Sequence, residues 1–252
     1  MHRQVTRQLR ENMVYLRPDL NTFQIDDMVK CSWGNYGRVM AEFSVLRKIW
    51  RSDRTTVEGL EHLTLAKSSK RPVICLFLHL GNWEIIGPKL YDLLGGDWIQ
   101  IYQLLDNRFK ARIAERVRRP YAHSLVTSGP FVGKKIYNQL KAGYTLNIAV
   151  DECVNNKVNI PSFGRELPLT GNLSMAVRLA KLTKALLCPV YATRTKGAQF
   201  VVHVLPQIEL DFKRLKSHEV MRVLDAQLMS VIGQHLDQWY YAAALCLAKD
   251  EP

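Results

Sequence analysis

The amino-acid sequence predicts an α/β fold, with a mostly parallel or mixed central sheet flanked by helices and a helical N-terminal extension. Two observations predict it. From about residue 70 to 192, short and continuously apolar runs alternate with amphipathic stretches. That is the pattern of strands buried on both faces and joined by covering helices. Ahead of them, Ile25, Met28, Val29, Trp33, Tyr36, Val39, Met40, Phe43 and Leu46 recur at three- and four-residue steps, one face of a helix. The expected organisation is a helical region at 1–56 and an α/β core at 57–252, together forming one domain.

The elements follow in order. The N-terminal helix carries Asp26 and Asp27 near its start and Arg47, Lys48 and Arg51 near its end, as the helix dipole favours. The apolar run 73–78 follows Pro72 and reads as a buried strand, with a turn at His79-Leu80-Gly81-Asn82. A helix is expected over 83–94, stopped by Gly95-Gly96, then a strand at 98–102. A basic helix at 108–119 stops at Pro120; another covers 133–141, with Gly143 just past its end. A strand at 146–150 runs into Asp151, and a helix covers 172–182. Strands at 186–192 and 200–204 suit a hairpin across Lys196-Gly197, and an amphipathic helix at 218–238 closes the fold.

Composition narrows the class. At 252 residues the chain is long enough to bury its own core. Its net charge of +12 draws anionic partners: nucleic acid, lipid headgroups, phosphorylated substrates or acidic carrier proteins. Cys31, Cys75, Cys153, Cys188 and Cys246 are scattered, which argues against a disulfide framework or a zinc knuckle and for a reducing, cytosol-facing setting. Residues 1–10 are polar and basic, unlike a signal peptide, and no run approaches the ~20 apolar residues of a membrane span. Membrane contact is therefore expected to be peripheral.

The segment His79-Leu80-Gly81-Asn82-Trp83-Glu84 carries the chemistry. His79 ends a strand, Gly81 permits a tight reversal, and Glu84 falls in the next helical turn. This spacing can bring the carboxylate to one imidazole nitrogen and leave the other free as a general base. The same spacing also suits a structural histidine and a glutamate that merely answers the helix dipole. A zinc reading is weaker, because no histidine pair lies at helical i, i+4 spacing. Asp151 also directly follows a buried strand, so it either caps the strand end or shares a crevice with His79 at the carboxyl edge of the sheet.

At these residues the chain resembles the H-x-x-x-x-D/E glycerolipid-type acyltransferases, and the Gly-Asn-Trp-Glu form is similar to the lauroyl/myristoyl acyltransferases of lipid A biosynthesis. Gly37-Arg38 with Glu42, then Val57-Glu58-Gly59-Leu60-Glu61, lie ahead of the motif as in that family. Asp151, then Pro161-Ser162-Phe163-Gly164-Arg165, Thr170, and a helix and strand ending at Arg194 lie behind it. The resemblance covers about residues 8–240. It implies transfer of a fatty acyl group from an acyl-carrier-protein or CoA thioester to a hydroxyl of a lipid A precursor or related glycolipid. The reaction is placed at the cytoplasmic face of the bacterial inner membrane. His79 is implied as the base and Glu84 as its partner, with no metal or other cofactor. Substrate contacts are expected from Asn82, Asp151, Arg165 and one arginine of the basic helix, Arg116 or Arg118.

The chain departs from the family at some points. It shows no hydrophobic N-terminal anchor, as a truncated product or a peripheral protein would not. It has Asp151-Glu152 where Asp-Gln is common, Ser162-Phe163 where two aromatics are common, and Pro120 after Arg118-Arg119. An inactive homologue resting on membranes, through basic Arg3, Arg7 and Arg10 or the aromatics Trp239, Tyr240 and Tyr241, is one alternative. A basic nucleic-acid-binding protein is a weaker one, since no recognition motif accompanies the charge.

Overall fold

The computed structural model describes residues 2–102, 108–122, 124–127, 131–154, 157–208, 214–245 and 247. A seven-stranded sheet forms its centre, in the order β1-β9-β8-β2-β5-β3-β4. The strands are β1 (Thr55–Glu58), β2 (Val73–Phe77), β3 (Trp98–Tyr102), β4 (Ser124–Thr127), β5 (Thr145–Ala149), β8 (Leu186–Arg194) and β9 (Phe200–Val204). Neighbouring strands run parallel except β8 and β9, which form the expected hairpin. A small antiparallel pair, β6 (Cys153–Val154) and β7 (Lys157–Val158), stands apart.

Helices cover both faces, as alternation in the chain requires. The side chains of β2 divide with the period of a strand. Val73, Cys75 and Phe77 pack with Leu46, Ile49, Leu63, Ile86 and Leu90 of α3 (Leu46–Trp50), α4 (Leu60–Ser68) and α5 (Ile86–Leu94). Ile74 and Leu76 join the opposite cluster with Ile136, Val177 and Leu224 of α7 (Val132–Lys141), α8 (Gly171–Thr183) and α9 (Ser217–Gln234). The basic helix is α6 (Arg108–Arg118). Cys31, Cys75 and Cys188 are free thiols, and Cys246 lies outside the described residues.

The N-terminal region is helical, as expected, but is divided. It comprises α1 (His2–Leu16), α2 (Thr22–Glu42) and α3. Asn21 starts α2 through a capping box: its side chain accepts the Gln24 N–H, and the Gln24 side chain accepts the Asn21 N–H. Of the expected apolar face, Ile25, Val29 and Val39 are buried, whereas Tyr36 and Met40 remain exposed. The strands β1 and β4 and the helix α4 are additional to those the sequence predicts. Both strands lie at the edges of the sheet and are short and mixed in polarity, so they lack the continuous apolar run of a central strand.

Candidate active site

The register of the sheet builds the site. In the parallel pair β2 and β5, Phe77 lies opposite Ala149, and the Val150 N–H donates to the Phe77 carbonyl at 3.0 Å. His79 and Asp151 each lie two residues further on, so the strand ends deliver them to one place. The crevice outside the carboxyl ends of parallel strands is where ligands bind in such sheets.

The Asp151 carboxylate is fully buried and receives three donors. Oδ1 is 2.7 Å from His79 Nδ1. Oδ2 accepts the His79 backbone N–H at 2.9 Å and the Trp239 indole N–H at 2.9 Å. A carboxylate only accepts, so Nδ1 is the donor and the lone pair of the neutral ring sits on Nε2. Among the described residues Nε2 has no hydrogen-bond partner, and it is not a buried atom. His79 thus has one nitrogen fixed and the other open.

Two aromatic rings pack against the imidazole. Trp83 lies 4.8 Å away and Tyr241 4.9 Å away, each edge-on. Burial, and then the charge of Asp151, push the Tyr241 phenol well above its ordinary range, so it stays neutral. The turn that carries His79 is laced to the C-terminal segment. The Tyr240 N–H donates to the His79 carbonyl at 2.9 Å, and the Gly81 N–H to the Gln238 carbonyl at 3.1 Å. Gly81 has φ +56°, and a Cβ there would stand 2.7 Å from the Ala192 carbonyl oxygen. Only glycine lets the turn approach β8 so closely.

Glu84 does not take the place expected of it. Both its oxygens bind Arg118, one to Nε at 3.1 Å and the other to a terminal guanidinium nitrogen. The cause is local. Residues Trp83–Ile85 form a 3-10 turn rather than the start of an α-helix, and the turn sinks Ile85 into the core against α5. Glu84 is then carried to the end of α6. Burial opposes the Arg118 charge, but the proximity and hydrogen bonds of Glu84 outweigh it, and the guanidinium pKa is raised. Removing one member of a buried pair leaves the other uncompensated. Glu84→Gln is therefore expected to cost about 3 kcal/mol of stability, lowering Tm by roughly 8 °C in a thermal melt.

The other expected contacts are distributed as follows. Asn82 is buried and donates to Glu42 Oε2 at 2.9 Å. Glu42 is also gripped by Arg194 at 2.6 and 2.9 Å. This cluster ties α2, the His79 turn and β8 together and holds the Asn82 amide nitrogen. Of the two arginines left open, Arg116 is exposed and Arg118 binds Glu84. Arg165 donates to the carbonyls of Ser162 and Pro161, at 2.9 and 3.1 Å, bracing its own loop. Glu152 accepts the Asn172 N–H at the start of α8, and burial raises its pKa. Arg10, expected on a basic face, pairs with Asp26 at 2.8 Å. The C-terminal aromatics, read as packing or as an interface, build the wall of the site. Their direct contact with His79 has no signal in the sequence beyond the Trp-Tyr-Tyr cluster itself.

An apolar cleft of about 240 Å³ is lined by Gly81 and Trp83 of the His79 turn, though not by His79 itself. Val5, Leu9, Trp33 and Val39 of the N-terminal helices form one side, and Trp83, Tyr240 and Ala243 another. Tyr240 is 4.8 Å from Trp83, which in turn touches His79. Among the described residues, no group of three His, Cys, Asp or Glu side chains is placed to hold a metal ion. No described helix is long and apolar enough to cross a membrane.

An oriented imidazole with one free nitrogen, at the carboxyl edge of a mostly parallel sheet, is an arrangement that can accept a proton. Residues 1–243 match the model of the bacterial lipid A biosynthesis acyltransferases. The chain belongs to that family and is an acyltransferase. Comparison with curated proteins finds no match.

Proposed function

We propose that the chain transfers a fatty acyl group from an acyl-carrier-protein or CoA thioester to a hydroxyl of a lipid A precursor, with His79 as general base and Asp151 as its orienting carboxylate. The observation that carries this reading is the 2.7 Å contact of His79 Nδ1 with a fully buried carboxylate, the other ring nitrogen being unpartnered among the described residues. His79 Nε2 takes the hydroxyl proton as the acceptor oxygen attacks the thioester carbonyl carbon. Asp151 stabilises the imidazolium that forms. The tetrahedral intermediate then collapses, the carbon–sulfur bond breaks, and the proton on Nε2 passes to the departing thiolate. An ester and a free thiol result, and the base is restored. Glu84 acts at one remove in this reading: with Arg118 it holds the turn that places Trp83 against His79.

The apolar cleft is the place for the acyl chain. Each methylene buried there contributes about 0.8 kcal/mol, so cleft length selects chain length. Ala243→Phe is expected to shift the preferred donor toward shorter chains by two or more carbons, read by competition between acyl donors; an unchanged preference would place the chain elsewhere. A peripheral position at the cytoplasmic face of the inner membrane is supported by exposed Arg3, Arg7, Tyr15 and Phe23 on the N-terminal helices, a basic and apolar mixture suited to anionic lipid. The direct test incubates the protein with an isotope-labelled acyl-carrier thioester and a lipid A precursor. Mass spectrometry is expected to show a lipid heavier by one acyl group. Release of free fatty acid alone, or no consumption of thioester, would overturn the proposal.

A further inference from the structure

We infer that Trp239 is a positioning residue for the reaction, its indole N–H holding Asp151 in the single orientation that keeps the proton on Nδ1 of His79. The inference rests on the proposed role of His79 and deepens it. Asp151 is an aspartate at the end of a strand, and its carboxylate can turn about its last torsion unless both oxygens are engaged. Two N–H groups converge on Oδ2, from the His79 backbone and the Trp239 indole, each at 2.9 Å. Oδ1 is thereby left for Nδ1. The backbone donor belongs to the residue being oriented and moves with it. The indole is an independent anchor.

Trp239 is itself immobilised. It is buried and pairs with Leu80 across an antiparallel bridge. Its neighbours on both sides hydrogen-bond to the His79 turn, through the Gln238 carbonyl and the Tyr240 N–H. Gln238 also exchanges two hydrogen bonds with the Arg194 backbone, at 2.7 and 3.1 Å. The N-terminal helices clamp the segment from outside: Ser32 and Asn35 donate to the Asp237 carbonyl, and Asn12 to the carbonyls of Ala242 and Leu245. The C-terminal segment is thus a strap that carries one polar group, the indole N–H, to the buried carboxylate.

Trp239→Phe keeps most of the ring and removes that group. Loss of one hydrogen bond to a charged acceptor is expected to lower kcat about 10-fold, with KM within twofold. Imidazole ¹⁵N NMR is expected to show the Nε2-protonated tautomer of His79 appearing in this variant. In an Asp151→Ala background the same substitution is expected to change kcat less than twofold, because the acceptor of the indole N–H is gone. If Trp239→Phe does not fold, the full chain still provides a test. Among its five tryptophans, the Trp239 indole proton should resonate furthest downfield and move upfield in Asp151→Asn. Wild-type kcat per folded molecule with an unchanged His79 tautomer in Trp239→Phe would overturn the inference. So would an indole resonance that ignores Asp151→Asn. A wild-type chain without acyl transfer would overturn the proposed function alone, since the NMR readouts need no turnover.

Discussion

His79→Ala is expected to lower acyl transfer by about 10³- to 10⁴-fold while the chain stays folded. The substitution removes the group placed to take the hydroxyl proton, and most of the side chain's surface already faces protein rather than solvent, being 15% exposed. The backbone contacts of residue 79, its N–H to Asp151 and its carbonyl from Tyr240, survive the change. Turnover should therefore fall far more than stability. Thioester consumption measured beside a thermal melt separates the two. Wild-type rates in this variant would show that the imidazole is structural, the plainer of the two readings that the His-x-x-x-x-Glu spacing allows.

Asp151→Asn is expected to cost a similar factor, for a reason specific to this geometry. Two N–H donors converge on Oδ2, so in the variant that atom must remain the amide oxygen. The amide NH₂ is then forced to face Nδ1 of His79. It donates where the carboxylate accepted, and the ring proton is driven to Nε2, the position that must hold the lone pair. The wrong tautomer, rather than a lost fold, lowers kcat about 10³- to 10⁴-fold. Raising the pH should not restore the activity, because the substituted amide does not titrate and keeps donating to Nδ1.

Much of this was legible in the sequence. The apolar run at 73–78 and the run at 146–150 each announce a central strand, and each is followed by a polar group. That placement alone suggests that His79 and Asp151 share a crevice. The pairing of a particular carboxylate with the imidazole was not legible from the motif. Spacing along the chain favours Glu84, five residues away, whereas sheet register favours Asp151, 72 residues away. Register prevails because parallel strands fix their ends side by side, while the turn after His79 is free to carry Glu84 elsewhere. The edge strands β1 and β4 escaped because each is only four residues long and mixes polar with apolar residues without a regular pattern. The role of Trp239 was hidden for a related reason. Its position past the last helix gives no hint that the chain doubles back to pair with Leu80. Long-range closure of this kind leaves no periodic trace in a sequence.

The central claim is that a base held by Asp151, and not by Glu84, activates the acceptor hydroxyl. Measuring kcat for Asp151→Asn and Glu84→Gln in one assay, each corrected for folded fraction, tests it most directly. Asp151→Asn is expected to lose at least about tenfold more kcat than Glu84→Gln, whose main effect is on stability. A Glu84→Gln protein that folds but is silent, beside an Asp151→Asn protein near wild-type turnover, would contradict it.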